Sequence, residues 1–201
     1  QKSDLDTCIA AVREPASLIV PSPIGAPDLV NRFKQVSVDQ ASTQRRRFDL
    51  GQACHEIAAT MMNQVRRAGH TLELRVPPGI AMDSYPGPFG QVVINFVNNA
   101  LLHGFDAPGG HMLLVATPLD GERVRIEFSG DGRGIAPEHL SRIFDPFFTT
   151  RMGRRGTGLG LNIAYNLVTT LLQGTIRVES APGRGTAFIL ELPLRAAPGG
   201  A

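Results

Sequence analysis

Asp120-Gly121 separates two runs of alternating hydrophobicity, residues 111–119 and 123–129. That dipeptide tolerates the positive φ angles of a tight turn, so the two runs are expected to fold back on each other as an antiparallel hairpin. A hairpin is not stable alone in water. It has to join further strands and bury one face under something apolar. A suitable cover lies upstream, where residues 89–103 set Phe89, Val92, Val93, Phe96, Val97 and Ala100 at helical spacing as a broad apolar stripe.

More elements follow from the same periodicities. Residues 72–76 alternate with period two and are stopped by Pro77-Pro78-Gly79. Residues 51–68 carry Ile57, Ala58, Met61, Met62 and Val65 on one helical face. A short helix is expected over 137–143 and a longer one over 159–172, with Gly174 as its C-terminal cap. Residues 175–179 and 186–192 close the pattern as two strands around Ala181-Pro182-Gly183. Helices mixed with mainly antiparallel strands predict a two-layer α/β sandwich, a sheet against about three helices. Near the start, residues 28–40 space Leu29, Val30, Phe33 and Val36 as one more helix, and Pro15, Pro21, Pro23 and Pro27 break any longer one before it. The Arg45-Arg46-Arg47 run reads as a solvated helix end or linker. A boundary near Phe48 divides the chain into a helical remnant and linker over 1–48, a domain over 49–195 and a disordered tail over 196–201.

Composition removes several function classes. The 201 residues suffice for a buried core, and no run approaches 18 uninterrupted apolar residues. The only lysines, Lys2 and Lys34, stand against 18 arginines. A phosphate-binding P-loop needs a Gly-Lys pair and a eukaryotic-type protein kinase needs a strand lysine, so neither fits after residue 34. A net charge of +2 on scattered arginines argues against a nucleic-acid partner. Cys8 and Cys54 form no metal or disulfide framework and fit ordinary thiols in a reducing compartment. Of the 22 glycines, ten lie between Gly130 and Gly185, which is where ligand-approaching backbone is to be sought.

Asn95, Asn99 and His103 recur every four residues, stacking beside the apolar stripe of the 89–103 helix. Amide oxygens suit a Mg²⁺ ion that shares its coordination with substrate phosphates, although a solvated face with one satisfied buried asparagine explains the same ladder. Gly132-Arg133-Gly134-Ile135 lies between a strand and a helix, and suits either close approach to a flat ligand or a plain turn. Gly156-Thr157-Gly158-Leu159-Gly160-Leu161 runs straight into a helix, whose unpaired N–H groups form an anion site; a glycine-capped surface loop is the simpler alternative.

Taken together, in this order and at these separations, the segments resemble the N, G1, F and G2 boxes of the ATP-binding catalytic domain of bacterial two-component sensor histidine kinases, within the Bergerat or GHKL superfamily. Here the boxes read QVVINFVNNALLHGF, SGDGRGI, IFDPFFTT and GTGLGLNIAYNLV, and PGRGTAFILELP is similar to the family's closing hairpin. The resemblance spans about residues 48–194. It implies a Bergerat-type sandwich in which ATP lies between the N-box helix and a lid made by the F-to-G2 segment. By position, Asn99 matches the Mg²⁺-binding asparagine and Asn95 the asparagine one turn earlier, the pair expected to serve catalysis. His103 matches a basic residue near the phosphates, and Gly132 and Gly134 the G1 glycines, with Asp131 and Ile135 beside them. Gly156, Gly158 and Gly160 match lid and G2 glycines, and Thr150, Arg151, Thr157, Leu159 and Leu161 are expected around the nucleotide with them. Thr186 corresponds to a threonine near adenine. Phe144, Phe147 and Phe148 would clamp the lid, with a plain core cluster an equal reading for at least one of them.

The resemblance further implies ATP or ADP with Mg²⁺ as ligands and a phospho-acceptor histidine domain, of the same or a partner chain, as target. It implies as well a response regulator downstream, a homodimeric full-length protein and a cytoplasmic location, whether free or as part of a membrane-bound sensor. His55-Glu56-Ile57 begins like the family's phospho-acceptor box, but no proline follows before Pro77; an ordinary helix histidine is expected there, and the acceptor upstream of Gln1.

One departure concerns the base. The family's G1 motif, D-[ND]-G-x-G-I, opens on an aspartate that accepts a hydrogen bond from the adenine amino group, and Gly130 stands in its place. A charge-assisted bond contributes about 1.5–3 kcal/mol, so its loss is expected to weaken binding roughly 10- to 150-fold. Asp131, with a glycine on either side, is free to swing inward as a substitute. The kinase reading therefore stands beside two others. One is a pseudokinase-like binding module with weak or no nucleotide binding. The other is an ATPase of the wider superfamily, disfavoured because Asn95 occupies the position of the water-activating glutamate.

Overall fold

The computed structural model describes residues 44–150 and 157–197. The predicted helix over 28–40, Cys8 and residues 198–201 lie outside them, so the N-terminal helical remnant is not described. In chain order the elements are β1 (Arg46–Asp49), α1 (Leu50–Arg67), β2 (Thr71–Arg75), β3 (Ala81–Ser84) and α2 (Pro86–Asn99). There follow β4 (His111–Pro118), β5 (Arg123–Gly130), α3 (Pro137–Leu140), α4 (Gly160–Asn166), β6 (Thr175–Ser180) and β7 (Thr186–Pro193). Helices α2 and α4 each run on into one π turn, Ala100–Gly104 and Leu167–Leu171.

The hairpin at Asp120-Gly121 forms, with Gly121 at φ 82°, and makes β4 and β5 the middle of a mixed five-stranded sheet of order β2-β4-β5-β7-β6. All its pairings are antiparallel except β2 with β4. The apolar stripe of α2 buries Phe89, Val92, Val93, Phe96 and Val97 against one face of this sheet. There Phe96 stacks on Phe188 at 4.6 Å and on Phe128 at 5.8 Å between ring centres. Burying each such ring stabilises the fold by about 1.5–3 kcal/mol. Helices α1, α2 and α4 share this layer, with the short α3 as a fourth helix.

Helix α1 starts on a built cap. The Asp49 carboxylate accepts the backbone N–H of Gln52 at 2.8 Å and of Gly79 at 2.7 Å, and these bonds hold its pKa below the usual carboxylate range. Cys54, on the buried face of α1, is a free thiol that burial pushes up to about 12, in keeping with an inert cysteine. His55, on the exposed side, hydrogen-bonds the Gly51 carbonyl of its own helix at 2.8 Å, as an ordinary helix histidine does.

Four sequence expectations are corrected. Arg46 and Arg47 do not end a helix but open β1, which pairs antiparallel with β3, a strand whose four residues show no alternation long enough to notice. The segment assigned to a linker up to residue 48 therefore contains the first strand. The tail does not begin at Ala196, because Ala196 is buried, its N–H bonded to the Asp83 carbonyl at 3.0 Å, and Ala197 donates to Gln173 Oε1 at 2.8 Å. Finally, the left-handed residue after α4 is Gln173, at φ 55°. Gly174 is needed instead because a β-carbon there would crowd the Glu191 carbonyl oxygen at 2.6 Å. Among the described residues no helix is long and apolar enough to cross a membrane.

Candidate functional site

At one end of the sheet the strand registers line up a row of residues across the face that α2 covers. Ser180 pairs with Thr186, Thr186 with Gly130, and Gly130 with Met112. One step further in, Phe188 pairs with Phe128, and both lie beneath Phe96. Beyond Phe96 the helix no longer seals the sheet, because its last residues widen into the π turn Ala100–Gly104. The result is a cavity of about 450 Å³, of the size that small ligands occupy. Its floor is Phe128, Gly130, Thr186 and Phe188, one wall is Asn99, Ala100, His103 and Phe105, and the opposite wall runs from Gly132 to Ala136 with Ile143, Phe148 and Leu161.

Of the residues singled out from sequence, the structure brings Asn99, His103, Gly130, Gly132, Gly134, Ile135, Thr150, Leu161 and Thr186 to this one cavity. Asn95 is not among its lining. At 3.6 residues per turn four residues advance about 40° past a full turn, which carries Asn95 round towards α4. A β-carbon on Gly160 would lie 3.8 Å from Asn95 Oδ1, which accepts from Gln91 Nε2 at 3.2 Å. The polar ladder is thus split, with Asn99 and His103 facing the cavity and Asn95 facing the α2–α4 seam, its Nδ2 buried without a partner. Thr157, Gly158, Leu159 and Gly160 also stand off the lining, while Arg151 and Gly156 lie outside the described residues.

Asp131 does not swing in. It is exposed, its carboxylate accepts the His111 N–H at 2.7 Å, and its own N–H donates to the His111 carbonyl at 3.1 Å. This reciprocal pair fixes the side chain on the β4 side, away from the floor. The glycines after it serve the backbone. A β-carbon on Gly132 would collide with the Gly104 carbonyl oxygen, and one on Gly134, which has φ 74°, with the carbonyl of Ala181. In the space so kept, Arg133 N–H reaches the Gly104 carbonyl and Gly183 N–H the Arg133 carbonyl, each at 2.8 Å. The turn thereby ties the end of α2 to the β6–β7 turn, and both borders of the cavity are set by main chain.

The three phenylalanines divide their work. Phe148 lines the cavity, with the Arg142 guanidinium 4.9 Å over its ring and His139 5.5 Å away. Phe144 packs on Tyr165 at 5.3 Å and its carbonyl accepts from Asn162 Nδ2. Phe147 is 70% exposed and takes φ 64°. Of the three only Phe148 lines the cavity, and Phe144 packs against the core, in keeping with the core-cluster reading for at least one of them. The sequence reading missed Ala100, Phe105, Arg133, His139 and the floor residues Phe128 and Phe188. Phe128 and Phe188 were legible as strand positions, but nothing in a strand pattern tells a core phenylalanine from one at a cavity edge.

Residues 85–196 match the family described as histidine kinase-, DNA gyrase B- and HSP90-like ATPase. The chain belongs to this family. Within it, the chain is 31% identical to the sensor histidine kinase RcsC of Escherichia coli K12 over 168 residues, 81% of this chain and 17% of that protein. The nucleotide-free catalytic domain of the histidine kinase ThkA superposes with a TM-score of 0.67 at 25% identity, covering 76% of this chain and 97% of ThkA's domain. Full-length ShkA in complex with AMPPNP gives a TM-score of 0.66 at 29% identity over 85% of this chain and 36% of ShkA. The fold of this ATPase-family member is accordingly that of a sensor histidine kinase catalytic domain, a five-stranded mixed sheet against helices. The chain spans less than a quarter of the length of the curated relatives it matches.

Proposed function

We propose that this domain binds Mg-ATP in the cavity and presents the γ-phosphate to a histidine outside the described residues, as the catalytic part of a longer sensor histidine kinase. The observation that carries the reading is the convergence, in one cavity of this family's fold, of a polar helix end at Asn99 and His103 with an apolar, hydroxyl-edged floor at Phe128, Phe188, Gly130 and Thr186. The floor and Ile135 hold a flat base, and the helix end faces the phosphates, with Thr150 contributing from the opposite wall. The described residues hold no cluster of three or more His, Cys, Asp or Glu side chains able to bind a metal unaided. The donor set therefore fits Mg²⁺ only together with a triphosphate, Asn99 giving an amide oxygen and phosphate and water the rest. Bound so, the ion neutralises charge on the phosphate oxygens.

What the protein supplies is position and electrostatics. The lone pair of the acceptor imidazole forms the N–P bond as the bond from the γ-phosphorus to the bridging oxygen breaks, and ADP leaves with that electron pair. No strong base is required for a neutral imidazole nucleophile. Hydrolysis is different, because water needs a base, and Asn95 is an amide turned into the α2–α4 seam. Transfer to histidine is thus favoured over ATP turnover. Nothing in the fold favours the pseudokinase-like alternative: apart from the missing carboxylate, the cavity keeps its floor, walls and polar end. The partners under this reading are a phospho-acceptor histidine domain, a response regulator and a second copy in the full-length protein, all in the cytoplasm.

Titration of this chain with Mg-ATP in a calorimeter is the test. Binding is expected, weakened at least about tenfold by Asn99→Ala, with phosphate appearing on a separately supplied acceptor-histidine domain and ATP hydrolysis by the chain alone at background. Absence of any Mg-ATP binding sinks the proposal.

A further inference from the structure

The floor of the cavity ends in an arrangement that bears on which base it takes. Ser180, Thr186 and Gly130 are successive partners across β6, β7 and β5, so the Thr186 hydroxyl stands between the Ser180 hydroxyl and a position with no side chain. None of the described residues lining the cavity is an Asp or Glu, and residues 151–156 contain none either. The nearest carboxylate in sequence, that of Asp131 just past β5, is held outside by the His111 N–H. The polar group left on the floor is the Thr186 hydroxyl, 2.8 Å from Ser180 Oγ.

A hydroxyl differs from a carboxylate in that it both donates and accepts, whereas an ionised carboxylate only accepts. Ser180 Oγ accepts the Ile135 N–H at 2.9 Å and has one proton to place, either on the Gly185 carbonyl or on Thr186 Oγ1, each 2.8 Å away. With that proton on Gly185, Thr186 donates to Ser180 and turns lone pairs to the cavity, which suits an amino group. With the proton on Thr186, the threonine's own proton is released towards the cavity, which suits a carbonyl. Both states use the same heavy-atom positions.

Resting on the nucleotide-site reading above, we propose that this domain reads position 6 of a purine through the Thr186 hydroxyl and therefore accepts 6-oxo purine triphosphates about as well as ATP. Gly130 is what permits this, since an acceptor-only carboxylate there would face the lone pairs of a 6-oxo group.

The experiment titrates the chain, with Mg²⁺ present throughout, with ATP and with inosine triphosphate, which differ at position 6 and in the hydrogen that the 6-oxo base carries on the adjoining N1. Dissociation constants within about fivefold of each other are expected, a spread of less than one hydrogen bond. In Gly130→Asp, ATP should bind at least about tenfold tighter and inosine triphosphate at least about tenfold weaker. Thr186→Val should weaken both nucleotides alike, and Thr186→Ser should restore both. ATP binding more than about thirtyfold tighter than inosine triphosphate in the unmodified chain overturns the proposal and leaves the ATP site standing. Equal effects of Gly130→Asp on both nucleotides overturn it as well. Failure of both nucleotides to bind overturns the underlying site reading.

Discussion

Gly130, the last residue of β5, and Gly134, in the turn that follows it, stand four residues apart, line the same cavity, and are held to opposite standards. At Gly134 the backbone is left-handed, at φ 74°, and a β-carbon would run into the Ala181 carbonyl, so no other residue fits without moving main chain. At Gly130 the backbone belongs to a regular strand and a β-carbon would find nothing nearer than Phe105 Cζ at 3.7 Å, an ordinary contact. The first glycine is imposed by the fold, which needs the turn to carry Arg133 and Gly183 into hydrogen-bonding range. The second is not imposed by anything around it. A glycine cluster in a sequence therefore mixes two kinds of position, and only the unforced kind reports on ligand choice.

The comparison is broken most easily at Gly134. Gly134→Ala combines the left-handed penalty of about 1–2 kcal/mol with a backbone collision that forces the β6–β7 turn away from Arg133. A loss of about 3 kcal/mol or more is expected in urea denaturation. A variant within about 1 kcal/mol of the parent would mean that the turn yields easily, and that Gly134 is no more constrained than Gly130.

The next largest effect is on binding, not folding. Gly130→Asp is expected to raise ATP affinity at least about tenfold, near 1.4 kcal/mol, because the carboxylate has room to enter the floor beside Thr186. Its unfolding free energy should stay within about 0.5 kcal/mol of the parent. Unchanged ATP affinity by calorimetry would show that position 130 is as silent for ligand as it is for packing.

The same distinction explains what could and could not be read from sequence. The hairpin, the stripe on α2 and the closing strands were legible because hydrophobic periodicity encodes which face is buried, and of the segments that carry the family resemblance, Asn99, Gly132, Phe148 and Leu161 reach one cavity. Strand β3 was not, since Ala81-Met82-Asp83-Ser84 offers too few residues for a period and draws its place from pairing with β1 and from the Leu194 carbonyl bonded to Asp83 N–H. Nor was the division between Asn95 and Asn99, which depends on where α4 packs along α2 and where the cavity begins. A four-residue spacing fixes neighbours on a helix, but not which of them looks into a cavity and which into a seam. Gly132 and Gly130 are likewise the same letter, and only the position of the Gly104 carbonyl tells them apart.

A third position tests whether stability and base choice are separable at all. Asp49 caps α1 far along the chain from the turn, and its carboxylate is held below its ordinary pKa by the N–H groups of Gln52 and Gly79. A depressed folded-state pKa contributes stability above the unfolded value, near 4, and that contribution is lost as pH falls through the folded value. Asp49→Ala should therefore lower the melting temperature by a few °C at pH 7, with the gap to the parent narrowing below about pH 4. The ratio of ATP to inosine triphosphate affinity should not move. A shift in that ratio would tie base choice to general loosening and undo the assignment of selectivity to Gly130.

The smallest effect belongs to Gly130→Ala. Removing backbone freedom from the unfolded chain favours the alanine by about 0.4–1 kcal/mol where the native geometry permits it, and strand geometry at position 130 does permit it. Against this stands a methyl placed on the cavity floor near Phe105 Cζ, the His111 carbonyl at 3.8 Å and Met112 Cγ at 3.9 Å, all at contact distance and none forced to move. Net stability should be equal to or slightly above the parent. A methyl neither donates nor accepts, so ATP and inosine triphosphate should weaken together, if at all, by less than about threefold. Selective loss of one nucleotide on adding a bare methyl would mean that shape, not hydrogen bonding, chooses the base on this floor, and the contrast between Gly130 and Gly134 would then be one of degree.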